Sequence, residues 1–137
     1  MKIFDQVFWN EDSDYSIIIE DDDRVAYAYL MYKNEIIGDV WLYNRSRPEK
    51  FIGWSTMAMP FMNPIEFIKN IDFDIPADKS DFSFQWLKNN SDQSLLEVII
   101  FIKEEIIAKI KPGSKPGWSS NVKRNGPLAQ ILYNEQN

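Results

Sequence analysis

The stretch "SLLEVIIFIKEEIIAKIK", residues 94–111, decides the fold, because its apolar residues suit one amphipathic helix about as well as two strands. A second stretch breaks the tie. At an offset of 70 residues, "FIKEEIIAKI" (101–110) aligns with "MYKNEIIGDV" (31–40), and Lys, Glu, Ile and Ile recur at identical places. The earlier copy joins "RVAYAYLMYK" to "EIIGDVWLYN", two runs rich in β-branched and aromatic residues around a short "KNE" turn, which is a hairpin pattern. The later copy is therefore expected to be a hairpin as well, turning at Glu104 and Glu105.

Upstream of the first copy, "DYSIIIE" (14–20) adds a strand to a β-meander. In the next strand Val25, Tyr27, Tyr29 and Met31 share one face. In "DFSFQWLKN" (81–89), Phe82, Phe84 and Trp86 alternate with Asp81, Ser83 and Gln85, which predicts a half-buried strand. Two places carry helix-start signals. Asn63, Pro64 and Glu66 open "NPIEFIKNI" (63–71), and Gly126 with Pro127 predicts a short terminal helix over 127–133. The expectation is an α+β fold: a mostly antiparallel sheet of about six strands in hairpins with two or three short helices, as a single domain over 1–137.

Hydrophobic residues at 45% and charged residues at 26% of 137 supply one ordinary core. The longest uninterrupted apolar run, near "VIIFI", falls far short of the roughly 20 residues that span a bilayer. The opening "MKIFDQVFWNEDSD" lacks the sustained apolar stretch of a secretory leader, so a cytoplasmic location is expected. Histidine and cysteine are both absent. That removes the usual general base near neutral pH, thiolate chemistry and the Ser-His-Asp and Cys-His systems, and it leaves zinc only carboxylates. A non-enzymatic chain without cofactor or metal is the expectation.

Charge is unevenly spread. Residues 1–44 sum to −7, 45–105 to −3 and 106–137 to +4, giving the net −6. The acids concentrate in "EDSD" (11–14) and "EDDD" (20–23), at opposite ends of the predicted "YSIII" strand. They are either solvated turns or a surface complementary to a basic partner. The second reading places a binding face on Asp12, Asp14, Glu20, Asp21, Asp22 and Asp23. A competing contact is Trp54 in "FIGWSTMAMPFM" (51–62), since Trp and Met are enriched at interfaces.

Two acidic stretches have the residue types of a metal site. Asp12, Asp14 and Ser16 begin like a calcium loop, but Ile17 stands where the sharp turn requires glycine. Asp72, Asp74, Asp78 and Asp81 form the alternative: a small metal-dependent hydrolase or ligand-binding domain. The basic tail with Lys109, Lys111, Lys115, Lys123 and Arg124 has three readings: a phosphate loop, a nucleic-acid arm or a structural closure. "PGSKPGWSS" lacks the Gly-Lys-Ser/Thr step of a phosphate loop. Five cations beside an acidic remainder make a poor footprint for nucleic acid. Closure, with Trp118 and Leu128 anchored to the core, is the preferred reading.

"IIGDVWLYNR" (36–45), "PEKFIGW" (48–54) and "KPGWSSNVKRNGPLAQIL" (115–132) together resemble the small immunity proteins encoded beside bacterial polymorphic and contact-dependent growth inhibition toxins. The resemblance implies a cytoplasmic single domain that binds and neutralises a cognate protein toxin. Many such toxins are nucleases with basic channels, which an acidic inhibitor can occupy by mimicking phosphate. It implies no direct nucleic-acid or membrane contact, and it carries no residue-level roles.

Overall fold

The 94–111 stretch is a hairpin. In a computed structural model describing residues 4–9, 14–22, 24–45, 68–69, 74–92 and 94–132, two sheets are formed. The first is a four-stranded antiparallel meander in chain order: β1 (Phe4–Trp9), β2 (Tyr15–Asp21), β3 (Val25–Tyr32) and β4 (Glu35–Asn44). The second runs β5 (Phe82–Lys88), β6 (Leu95–Ile102), β7 (Glu105–Ile110), β8 (Trp118–Ser119) and β9 (Gln130–Ile131). All its pairings are antiparallel except β8 with β9, which is parallel.

The internal repeat extends to the register. In the first hairpin Tyr32 pairs with Glu35, Met31 with Ile36 and Leu30 with Gly38, so Ile37 is the extra residue of a bulge. In the second, Ile102 pairs with Glu105, Phe101 with Ile106 and Ile100 with Ala108, making Ile107 the extra residue. Each of these pairs maps onto its counterpart by adding 70. The second turn therefore lies at Lys103 and Glu104, one residue before the expected place, and both take positive φ, 52° and 71°. Lys33 does the same in the first turn at 55°.

One face of each sheet feeds a common hydrophobic cluster. Ile17, Ile19, Leu30 and Val40 from the first sheet and Val98, Ile100 and Ile110 from the second have no exposure. Burying each such side chain contributes on the order of 1.5–3 kcal/mol. Gly38 lets the sheets approach closely, since a Cβ there would stand 2.6 Å from the Ile110 Cγ2.

The expected α+β class is corrected by these elements: the chain is mostly β. Among the described residues the sole helical element is a 3-10 turn, Lys79–Asp81. The predicted helix over 63–71 lies largely outside the described residues. Its Ile68, however, bridges antiparallel to Val122, and the Lys69 N–H donates to the Asn121 carbonyl at 2.7 Å, as a strand would. In the predicted terminal helix the Gln130 N–H donates instead to the Gly117 carbonyl at 2.8 Å, forming β9. A seven-residue helix is marginal alone, and here a ladder outcompetes the Pro127 start signal.

The basic tail is a closure, applied to the outer edge of β4. The Ile37 carbonyl accepts from Gly113, the Asp39 N–H donates to Ser114, the Asp39 carbonyl accepts from Gly117, and the Trp41 N–H donates to Leu128. The Leu42 carbonyl accepts from the Asn121 Nδ2 at 2.9 Å. An open strand edge is thereby covered by the chain's own tail. Leu128 is buried as expected, whereas Trp118 stays half-buried.

Candidate functional site

The outer face of the first sheet follows from strand register, because residues directly opposite each other share a face. One row is Ser16, Met31 and Ile36; the next is Ile18, Tyr29 and Asp39; the third is Glu20, Tyr27 and Trp41. Trp41 and Tyr27 are buried, while Glu20, Tyr29 and Asp39 are half-buried and Ile36 is exposed. The Tyr27 and Tyr29 rings stack with centroids 6.1 Å apart.

Carboxylates converge on Tyr29. Its phenol is pushed up to about 12, first by burial and then by the negative charges of Glu20, Asp39 and Asp22. Burial also raises the Asp39 carboxyl above its ordinary value, opposed by the positive charge of Lys115. Glu20, Asp22 and Asp39 thus form an anionic rim about the half-buried Tyr29, beside Tyr27 and Trp41, which are themselves buried. Chemically, it suits a cationic side chain on a partner, through charge and through the tyrosine face.

The acids expected to form one patch are divided by the fold. Asp14 is exposed at the far end of β2 from Glu20, roughly 20 Å away at about 3.3 Å per residue. Asp21 is a correction: it shares the inner face with Ile17 and Ile19, has no exposure, and is unavailable to a partner. Its carboxylate accepts from the Tyr43 hydroxyl at 2.7 Å and from the Arg45 Nε at 2.7 Å. Asp22 Oδ1 accepts from the N–H groups of Arg24 and Val25, both at 3.0 Å, and so shapes the β2–β3 turn while adding charge to the rim. Asp12, Asp23 and Trp54 lie outside the described residues.

Asp39 and Tyr29 were absent from the expected binding face. Alternation placed Tyr29 beside Tyr27 and Met31, but joining Asp39 to Glu20 requires the β3–β4 register, bulge included.

The hydrolase carboxylates are committed locally. Asp74 pairs with Lys103 at 2.9 Å, Asp78 caps the 3-10 turn by accepting from Ser80, and Asp81 accepts from the Ala77 N–H at 2.7 Å. The Ser80 hydrogen bonds hold the Asp78 carboxyl below its ordinary value. Asp72 lies outside the described residues. Among the described residues, no group of three or more carboxylates could hold a metal ion, and no helix is long and apolar enough to cross a membrane. In the tail, the Lys109 and Lys111 ammonium groups sit 5.2 and 5.5 Å from the Trp118 ring centroid, occupying the ring that a nucleobase would need.

Comparison with protein-family models, curated proteins and solved structures returns no match for the chain.

Proposed function

We propose that the chain is a cytoplasmic, non-enzymatic inhibitor of the immunity type, which neutralises a basic toxin domain, a nuclease, by protein–protein contact. The contact is the outer face of the first sheet around Glu20, Asp22, Tyr29 and Asp39. The observation that carries this reading is the convergence of three carboxylates, from two strands and a turn, on one half-buried tyrosine. Such an arrangement keeps charge at the surface, at some cost in desolvation, where a basic channel would meet it. Among the described residues, the pairing of Asp74 and the local hydrogen bonds of Asp78 and Asp81 favour this reading over the hydrolase alternative.

The test begins with an affinity-tagged chain expressed in its native cells. A stoichiometric basic toxin fragment should remain bound at moderate salt. With that fragment in hand, Glu20→Lys and Asp39→Lys should slow association, with the largest effect at low ionic strength. Recovery of the bare chain from cells that contain the neighbouring gene product would overturn the inhibitor reading. Unchanged association by both variants would overturn the face.

A further inference from the structure

Of the asparagines in the sequence, Asn125 alone is followed by glycine. Asparagine is thermolabile because the main-chain nitrogen of the next residue can attack its side-chain carbonyl carbon. Glycine, lacking a Cβ, leaves that nitrogen open and the backbone free to bend towards the carbon. Asn125 is exposed and stands in the irregular stretch 123–129, which carries neither helix nor strand. Its Oδ1 accepts from the Ile131 N–H at 2.8 Å, a bond that draws electron density from the carbonyl carbon and leaves Nδ2 as the group able to depart. Lys123 and Arg124, both exposed, precede it, and their positive charge favours loss of the proton from the Gly126 nitrogen. That N–H donates to the Ala129 carbonyl at 3.1 Å, so attack requires one local opening in an exposed segment. Asn121 is the internal contrast: it is buried, donates to the Leu42 carbonyl and is followed by the β-branched Val122.

We infer that Asn125 is a site of spontaneous deamidation, and that its isoaspartyl product loosens the tail's closure over β4. The deprotonated Gly126 nitrogen bonds to the Asn125 Cγ, the Cγ–Nδ2 bond breaks, and ammonia leaves with a proton taken from solvent. The cyclic imide that remains is opened by water at either carbonyl. Opening at Cγ gives aspartate, which keeps an acceptor for the Ile131 N–H. Opening at the main-chain carbonyl gives isoaspartate, whose backbone runs through Cβ and is longer by one carbon. That carbon enters the link between two fixed points, Val122, which is bridged to Ile68, and Leu128, whose carbonyl accepts from the Trp41 N–H at 3.0 Å. Beyond Leu128, the Gln130 N–H donates to Gly117 to form β9. A longer link changes the spacing on which both attachments depend, so the isoaspartyl chain holds β4 and β8 less firmly.

Incubation of the folded chain in warm, mildly alkaline water enriched in the heavy oxygen isotope, followed by peptide mass spectrometry, tests this. Asn125 should take up heavy oxygen over days to weeks while Asn121 keeps its amide. Gly113 is the one described glycine at positive φ, so Gly126→Ala is compatible with the backbone, and it should slow conversion at Asn125 about tenfold or more. The isoaspartyl chain, separated by ion exchange, should unfold at a lower temperature than Asn125→Asp, which carries the same charge on an unaltered backbone. An amide at Asn125 that survives several weeks overturns the modification site, and so does conversion at Asn121 as fast as at Asn125. Equal unfolding temperatures for the isoaspartyl chain and Asn125→Asp overturn the loosening.

Discussion

The Arg45 Nε donates to the Asp21 carboxylate at 2.7 Å, joining the end of β2 to the residue that follows β4. Tyr43 adds a second donor to the same carboxylate, and burial together with that bond raises its phenol well above the ordinary value. This is why one member of a surface-looking acidic run sits in the core without isolating a charge.

Replacing Asp21 with alanine removes a buried carboxylate acceptor from both the Arg45 guanidinium and the Tyr43 hydroxyl. The expected loss is about 3 kcal/mol, read from urea denaturation midpoints. Asp21→Asn keeps the shape and one acceptor and should lose less. A loss below about 0.5 kcal/mol for alanine would show that the pair has no structural role.

Two glycines sit where the sheets and the tail come closest. Gly38→Ala would push a methyl against the Ile110 Cγ2 at 2.6 Å, and Gly117→Ala against the Lys109 carbonyl oxygen at 2.5 Å. Overpacking of this kind costs roughly 1–3 kcal/mol. Gly117→Ala should be the worse of the two, since a backbone oxygen yields less readily than a side-chain methyl. Thermal unfolding of both variants gives the order directly.

The hairpins were legible because the turn and the residues after it are repeated, Lys33, Glu35, Ile36 and Ile37 against Lys103, Glu105, Ile106 and Ile107. The shared bulge was not, since nothing in composition marks Ile37 or Ile107 as unpaired. Alternation did carry the fate of Asp21: two residues beyond Ile19 on one strand, it must share the face of Ile17 and Ile19. The Pro127 signal misled because it is local, whereas the hydrogen bonds that β9 makes to β8 join residues 12 positions apart in sequence. Asp39 was hidden for the same reason, being 19 positions from Glu20 and brought near it only by strand pairing.

Positive φ at Lys103 and Glu104 is a conformation that glycine adopts without penalty and L side chains adopt at a cost. Glu104→Gly should therefore stabilise the protein by about 1 kcal/mol, with Lys33→Gly acting in the same direction. Gly113→Ala, at φ 91°, should do the opposite. Chemical denaturation of the three variants checks all three signs, and destabilisation by Glu104→Gly would contradict the turn geometry.

The Asp39 carboxyl has its folded pKa raised by burial, so the folded state disfavours its charge. For an acid shifted in that direction, the folded state holds its proton more tightly than the unfolded one, and stability falls as pH rises through the folded value. Asp39→Asn should accordingly raise Tm at neutral pH, and the gain should vanish once both states are protonated at low pH. The raised Tyr29 phenol behaves alike at the other end, with stability declining as pH climbs from 10 towards about 12. The same Asp39→Asn variant should bind a basic partner more weakly, especially at low salt. A gain in stability coupled to a loss of affinity is what a charge maintained for recognition predicts, whereas a variant neutral in both would leave Asp39 an ordinary half-buried acid.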